Sequence, residues 1–237
     1  MFNGNLSDQL LQELGRQIIQ GKLLPGSLLP KVEVLSEMKG VSRTVVRETL
    51  KGLSARRLVE STTRVGTVVC PRSDWQWWDP DVLTWASESD DNHLFLQKLT
   101  EIRLAVEPSA VELAAKNATE QDLLAIQECY RQLERTIDNE LEWAKADEDF
   151  HKSILAASNN ELMHSLIQTL HLALERSRLT TIHLLKEHPE PSYRDTADEV
   201  LARHKAITEA ICSRDGKKAR NKMEELLNRV VEVLGTN

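Results

Sequence analysis

Three side chains in the second half of the sequence have the types and spacing that hold a divalent metal ion. Asp147 and His151 are four residues apart, so both project from one side of a helix. His204 lies eleven residues before Asp215 and position 226 eleven after it, which puts both at one level of a helix pair that turns there. A carboxylate with two imidazoles binds Zn, Ni, Mn or Fe, and water or a small ligand completes the coordination. The alternative is an ordinary helical pair and a bundle histidine.

A second set of side chains, on a predicted helix at 42–53, is suited to contacting DNA. Arg43 and Arg47 are four residues apart and project together, and arginine fits the edge of guanine in the major groove. Arg43 lies in the first turn, where the helix dipole disfavours a cation by about 0.3–1 kcal/mol, so an anionic partner is expected there. The alternative is a solvated basic face. The opposite, apolar arc consists of Val46, Leu50 and Leu53, while Ser42 as N-cap, Thr44 and Lys51 complete the polar arc.

The elements around this helix predict a winged helix-turn-helix within the first 71 residues. Helical patterns at 5–20, 32–38 and 42–54 are followed by two short runs rich in β-formers, LVEST and GTVVC, with a turn near Thr63-Arg64. The charge agrees with this. The net charge of the chain is −7, but residues 1–71 hold ten Lys/Arg and six Asp/Glu, whereas the remainder holds twenty and thirty-one. A basic head on an acidic body is typical of a DNA-binding domain attached to another module.

The rest of the chain is predicted to be entirely helical. A Trp-rich segment with Trp75, Trp77, Trp78 and Trp85 separates it from the head. We therefore predict a mainly α protein, with a winged helix-turn-helix at 1–71, a linker at 72–89, and an all-α antiparallel bundle for effector binding and dimerisation at 90–237. Helical periodicity covers 80–87, 92–116, 119–137, 139–157, 160–187, 194–213 and 216–234, with Thr119 and Asp122 as a capping pair.

The composition favours a soluble protein of the cytoplasm. No apolar run approaches the roughly 18 residues of a membrane span, and the N-terminus lacks the pattern of a signal peptide. The three cysteines, Cys70, Cys129 and Cys212, share no metal-ligand spacing and are expected to be free thiols in a reducing compartment.

The N-terminal motifs resemble the DNA-binding domain of the GntR family of transcription regulators over residues 12–69. The resemblance implies that Ser42, Arg43, Thr44 and Arg47 contact the operator. After Leu29-Pro30 this chain departs from the family, with Glu33 near a position that is often basic; Lys31 is expected to substitute for that contact. The matching positions are Pro25-Gly26, Leu29-Pro30, Leu35, Val41-Ser42-Arg43, Arg47-Glu48, Leu50, Leu53 and Gly66-Thr67, and the implied wing tip is Thr63, Arg64 and Gly66.

Residues 90–234 resemble the helical ligand-binding domain of the fatty-acid-regulator subfamily of that family. The resemblance implies that an aspartate and three histidines hold a divalent metal, here Asp147, His151 and His204, with Leu226 at the position of the third histidine. It also implies that Arg103 lies in the effector pocket. Arg229, one turn after Leu226, is a second candidate anchor for an effector carboxylate. The matching motifs are Arg103 with Glu107, Ala114-Ala115, Asp147-x3-His151, Ser158-Asn160 and His204-x6-Ala210-Ile211.

These features predict a regulator, most simply a repressor that a small carboxylate effector releases from DNA. The interdomain residues Trp75, Asp79, Asp81, Val82-Leu83 and Trp85 resemble those of sugar-acid regulators, which favours an aldonate; another hydroxy acid or organic acid is the alternative. A symmetric homodimer on a palindromic operator is expected, since one recognition helix contacts few base pairs. Competing hypotheses are a metal-dependent enzyme, for which no nucleophile–base pair is visible, and a helical interaction module without a ligand.

Overall fold

The helices of the chain divide into two groups, each with its own core. The computed structural model describes residues 5–89, 93–188 and 190–235. The division falls between Asn92 and His93, which gives a first unit of Met1–Asn92 and a second of His93–Asn237. The predicted mainly α architecture is confirmed, with eleven α-helices and one two-stranded sheet in the described ranges.

The first unit has the predicted order of helices and hairpin. The apolar stripe of its first helix and that of its recognition helix are buried against each other, because both present leucine, isoleucine or valine at helical spacing. Its elements are α1 (Leu6–Ile19), α2 (Val32–Lys39), α3 (Arg43–Ala55), β1 (Val59–Thr62), β2 (Gly66–Val69) and α4 (Pro80–Ser87).

The wing is an antiparallel hairpin in which Val59 pairs with Val69 and Thr62 with Gly66. A preceding segment runs beside β2: Leu28 bridges to Val68, and the Leu29 N–H donates to the Thr67 carbonyl at 2.8 Å. Backbone hydrogen bonds thus connect the hairpin to the segment of chain that leads into α2.

The Trp-rich segment, predicted as a linker at 72–89, is part of the first unit. Its helix α4 packs on α1, where the Trp85 indole N–H donates to Gln12 Oε1 at 2.7 Å. Arg56, at the end of α3, forms ion pairs with both Asp79 and Asp81. The segment is therefore fixed by a buried aromatic ring and a guanidinium, and the boundary lies after it.

The second unit is an all-α bundle. Thr119 and Asp122 form the predicted capping box at the start of its second helix, where each accepts a hydrogen bond from the other's backbone N–H. The helices are α5 (His93–Asn117), α6 (Glu120–Thr136), α7 (Glu140–Ala157), α8 (Glu161–Thr169), α9 (His171–Glu187), α10 (Ala197–Cys212) and α11 (Gly216–Gly235).

The long helices α5 and α11 run antiparallel along each other. Gln97 near the start of α5 donates to the carbonyl of Leu234, whereas Glu112 farther along pairs with Arg220 at 3.1 Å. A tight turn joins α10 to α11, and Asp215 Oδ1 accepts from the Lys218 N–H at 3.0 Å. This hairpin brings the middle of α10 beside the middle of α11, as the spacing predicts.

One helix differs from the prediction. The periodic stretch 160–187 is two helices, α8 and α9, separated at Leu170, whose N–H bonds to the Ile167 carbonyl three residues back instead of four. No glycine or proline marks the break, so the sequence carries no local signal for it. Leu170 is itself fully buried, which indicates that packing, not turn chemistry, sets the change of direction.

Two further expectations concern membranes and cysteines. No helix within the described ranges is long and apolar enough to cross a bilayer. Cys70, Cys129 and Cys212 are free and partly buried.

The contact of Gly15 with Trp85 gives a test of how α1 holds α4. A Cβ at position 15 would lie 2.4 Å from two carbons of the Trp85 ring, which is fully buried. We expect Gly15→Ala to lower the free energy of unfolding, because overpacking costs about 1–3 kcal/mol and alanine in a helix gains only about 1 kcal/mol. Gly52→Ala is the matched control, since its Cβ would meet only the flexible end of Leu11 at 3.1 Å. Urea unfolding of the full chain measures both; a Gly15→Ala protein as stable as wild type contradicts the expectation.

Candidate functional site

The recognition helix α3 presents its arginines to solvent. Arg43, Thr44 and Arg47 are exposed, while Val46 and Leu53 on the opposite arc are fully buried. Ser42 caps the helix, with its hydroxyl oxygen accepting from the Val45 N–H at 3.3 Å, so α3 begins where the sequence predicts.

The unusual acidic residue before α3 lies close to the first arginine. Glu33 Oε1 is 4.0 Å from Arg43 Nη1, and the two side chains are 49% and 64% exposed. An ion pair this exposed contributes at most about 1 kcal/mol, so Arg43 is free to exchange it for a stronger acceptor. Lys31, at the N-cap of α2, is exposed.

The tip of the wing is equally accessible. Thr63 and Arg64 are exposed in the turn between β1 and β2, and the turn closes at Gly66, which has φ +104°. That backbone conformation favours glycine. The eight residues predicted to contact DNA are all exposed: Lys31, Ser42, Arg43, Thr44, Arg47, Thr63, Arg64 and Gly66.

The second unit brings the three predicted metal ligands together in its interior. Asp147 and His151 come from α7 and His204 from α10, and one ligand atom of each lies within 4.8 Å of the others. His204 Nε2 is 3.0 Å from Asp147 Oδ1, and His151 Nε2 is 3.8 Å from Asp147 Oδ2. The two candidates on α7 and the one on α10 thus lie in one cluster, and their role as metal ligands stays a prediction.

The hydrogen bonds of His204 define what its inner nitrogen can do. Nδ1 lies 2.9 Å from the carbonyl of Val200, which can only accept, so Nδ1 carries a proton. Nε2 then faces the Asp147 carboxylate either as an N–H donor of an imidazolium or as a lone pair. In the second state, a cation between the two groups would relieve the repulsion of two acceptors.

His151 is oriented by an acid that the sequence placed only as part of a motif. Its Nδ1 is 2.6 Å from Glu107 Oε2, close but not aligned as a good hydrogen bond, and Glu107 also binds Arg103 Nε at 2.7 Å. Burial acts to raise the pKa of Glu107, but Arg103 and His151 outweigh it and hold that pKa far below its usual range. Burial lowers the pKa of His151, while the charges of Glu107 and Asp147 act to raise it.

Asp147 is the centre of the cluster. Burial opposes its ionisation, but His151, His204 and Arg178 together hold its pKa well below the ordinary value. Arg178 Nε donates to Oδ2 at 2.7 Å. Oδ1 faces His204, so the two carboxylate oxygens have different partners.

A partly open cavity lies beside this cluster. Leu226, the residue at the position of the implied third histidine, lines it as an apolar wall. The lining residues are Arg103, Trp143, Asp147, Arg178, Thr181, Ile182, Leu185, Val200, Arg203, His204, Leu226, Arg229 and Val230.

Both predicted effector anchors line the cavity, and both already have acidic partners. Arg103 is buried and paired with Glu107, and its Nη2 is 3.4 Å from His151 Nε2. Arg229 Nη2 is 2.9 Å from Asp195 Oδ1, and Arg229 also pairs with Glu232.

Sequence reasoning missed four polar residues of the cavity, Trp143, Arg178, Thr181 and Arg203. Trp143 had a signal, because it is one helical turn before Asp147 and so shares its face of α7. Arg178, on α9, has no fixed spacing to any recognised motif, and only the folded bundle brings it to Asp147.

A winged helix-turn-helix with exposed arginines, followed by a helical bundle with a polar cavity, is typical of a DNA-binding transcription regulator. Residues 6–69 match the family described as "Bacterial regulatory proteins, gntR family", and residues 98–229 match the FCD domain. The chain belongs to the GntR family of transcription regulators and carries an FCD effector domain. It is a DNA-binding regulator rather than an enzyme.

Curated relatives align with most of the chain. The galactonate operon transcriptional repressor of Escherichia coli is 31% identical over 90% of this chain and 89% of its own length. The regulator LutR of Bacillus subtilis is 32% identical over 92% and 95%. The Glc operon transcriptional activator of E. coli is 26% identical over 78% and 73%.

Solved structures support the fold. A Listeria monocytogenes protein, Lar, described as controlling expression of the agr system, aligns with a TM-score of 0.60 at 17% identity, covering 98% of this chain and 97% of that one. A GntR protein of Streptococcus agalactiae aligns with a TM-score of 0.50 at 22% identity, covering 95% and 99%.

The exposure of Arg43 and Arg47 leads to a prediction about operator binding. We expect Arg43→Ala and Arg47→Ala each to weaken specific binding by about 1–3 kcal/mol, the worth of one bidentate base contact, with the fold intact. Anisotropy at fixed salt, on a sequence that the wild type selects from a random pool, measures this. Arg131→Ala on α6 is the control, because Arg131 is also exposed and pairs with Glu128 on the same helix. Wild-type affinity in both α3 variants contradicts the assignment.

Proposed function

We propose that this regulator is a repressor that a small sugar acid, such as an aldonate, releases from its operator. The observation that carries the proposal is the arginine-rich cavity in the FCD domain beside Asp147 and its two histidines. The name of the E. coli galactonate repressor, whose sequence aligns along nearly the whole chain, supports this class of effector.

The charges around the cavity favour an anion. Four arginines line it, and their acidic partners within the same network are Asp147, Glu107 and Asp195. Arg229 also pairs with Glu232, which is 59% exposed, so the four guanidinium groups face three little-exposed carboxylates and one that lies in solvent. Guanidinium groups in a cavity wall favour a carboxylate ligand, because the planar guanidinium binds a carboxylate at two points. The four arginines are Arg103, Arg178, Arg203 and Arg229.

The donor set fits a divalent metal. Asp147 Oδ1, His204 Nε2 and His151 Nε2 are an anionic and two imidazole ligands, and Glu107 and the Val200 carbonyl orient the two rings as outer partners usually do. A bound Zn, Ni, Mn or Fe ion would act as a Lewis acid that attracts a carboxylate or hydroxyl oxygen of the effector. Leu226 offers no ligand, so the effector or water would complete the coordination.

Arg103 and Arg229 are proposed as further effector contacts. The guanidinium of Arg103 is already bound to Glu107 and that of Arg229 to Asp195. Each would therefore bind the effector in addition to its acidic partner. Arg103, next to His151, suits the end of the effector that lies away from Leu226.

On the DNA side, we propose that the protein binds a palindromic operator as a homodimer. A single α3 spans only a few base pairs, and a two-fold pair of recognition helices doubles the contacted sequence. In each subunit Ser42, Arg43, Thr44 and Arg47 would contact the major groove, Thr63, Arg64 and Gly66 the flanking backbone, and Lys31 a phosphate.

An activator that responds to another organic acid is the second candidate. The observation in its favour is that one relative at 26% identity is named as an activator. The same cavity would then bind a hydroxy acid that strengthens operator binding.

Release of DNA by a sugar acid is the direct test of the proposed function. We expect galactonate to dissociate the wild-type complex with its selected operator and to raise the thermal midpoint of the free protein, since a ligand of the native state stabilises it. Galactose is the control, because it has the hydroxyl groups but no carboxylate. Tighter operator binding in galactonate would favour the activator, and no response to any aldonate, uronate or hydroxy acid would contradict both candidates.

Metal binding is tested by the ligand set itself. We expect protein purified without chelators or metal-affinity tags to contain about one divalent metal per chain by mass spectrometry, and His151→Ala and His204→Ala to contain little. Leu226→His is expected to bind the metal more tightly, because it adds a fourth protein ligand. His183→Ala is the control, since His183 is exposed on α9. Equal metal content in His151→Ala, His204→Ala and wild type would overturn the assignment.

A further inference from the structure

Two residues of the cavity wall each have a buried polar hydrogen with no acceptor. Within the described ranges, Trp143 Nε1 and Arg178 Nη1 have no hydrogen-bond partner. Trp143 is 2% exposed and Arg178 4%, and both line the cavity beside Asp147. Neither group is therefore satisfied by protein or by the open solvent around the molecule.

Such groups are costly, and native interiors contain few of them. A buried donor without a partner costs about 1–3 kcal/mol, and more when it belongs to a charged group. Two of them in the wall of one cavity indicate that the cavity normally holds something with oxygen acceptors.

The orientation of both donors is fixed by other contacts. Arg178 Nε donates to Asp147 Oδ2 at 2.7 Å, which holds the guanidinium in place. This contact does not use the hydrogens on Nη1. Trp143 is packed in the core of the bundle, and Lys186 Nζ lies 5.9 Å from the centre of its ring. A ligand would thus find both donors already ordered, and ordering them would cost little further entropy.

We propose that Trp143 and Arg178 form the polar edge that recognises the effector, with Arg178 Nη1 binding its carboxylate and Trp143 Nε1 a hydroxyl oxygen. This rests on the proposed function and deepens it. An indole N–H can only donate, so its partner must carry a lone pair. A charge-assisted bond to the guanidinium suits the carboxylate, which leaves the neutral hydroxyl for the indole.

The pair selects a hydroxylated acid over a plain one. An acid of the same length without the hydroxyl would satisfy Arg178 and leave the Trp143 N–H buried without a partner. A site built to bind a hydroxyl rejects the analogue that lacks it, because its own polar group then stays unpaired. Trp143 lies on the same face of α7 as Asp147 and His151, because the three residues follow one another at four-residue intervals.

The test is calorimetric titration of the full-length protein with galactonate. Trp143→Phe removes the N–H and keeps an aromatic ring, and we expect the affinity to fall about two- to tenfold. Arg178→Lys keeps the charge beside Asp147 but not Nη1, and we expect a loss of about tenfold or more. Matched controls are Trp78→Phe and Arg131→Lys, both exposed, which should bind as wild type does.

Modified ligands separate the contacts from changes in packing. In the set of galactonates that each lack one hydroxyl group, one member should bind Trp143→Phe and wild type equally, because the oxygen that met the indole is gone. Galactonamide, with no carboxylate charge, should likewise reduce the penalty of Arg178→Lys. Each pairing of a protein variant with a modified ligand is a double-mutant cycle. If a variant lost affinity through a general packing defect, it would lose the same affinity for the modified ligand as for galactonate.

The outcomes distinguish this inference from the proposed function. If wild type binds galactonate and both variants bind it within about twofold of wild type, the polar edge is wrong and the sugar-acid proposal stands. If Trp143→Phe does not fold, Arg178→Lys and the ligand series on wild type decide the matter. If wild type binds no hydroxy acid at all, the proposed function and the inference fail together.

Discussion

The second unit depends on keeping one carboxylate, that of Asp147, ionised in the interior of a helical bundle. A buried charge is tolerated only when partners replace the water it has lost. Those partners come from different helices: His151 from α7 itself, Arg178 from α9 and His204 from α10. The requirement to satisfy one anion therefore fixes the relative placement of three helices, and the cavity is the space that this arrangement leaves beside them.

Much of the first unit could be predicted because its signals are local. The cap at Ser42, the apolar arc of α3 and the two β runs each lie within a few residues of one another, so a periodic pattern identifies them. The packing of the Trp-rich segment against α1 was harder to predict. Trp85 reaches back about seventy residues to α1, where Gly15 leaves room for its ring, and no local pattern relates the two.

The same distinction holds for the candidate site in the second unit. The pair on α7 follows from helical spacing, and His204 follows from the short turn at Asp215, which sets the level of α10 against α11. Arg178 could not be found in this way, because α9 is joined to α7 through α8 and through a break at Leu170 that has no sequence signal. A residue that only tertiary packing brings to a site can be identified from the structure but not from a local sequence pattern.

The two units use arginine in opposite physical states. Arg43 is largely exposed, so as a proposed DNA contact it would bind as a solvated cation, and its gain would come chiefly from the acceptor-rich groove and the phosphates. Arg178 is buried and held by Asp147, so its desolvation and ordering are already complete in the folded protein. An anion that reaches Arg178 gains the full strength of a charge-assisted bond in a medium of low dielectric. The interior arginine is thus suited to the selective binding of one small anion, and the surface arginines are suited to binding a long polyanion such as DNA.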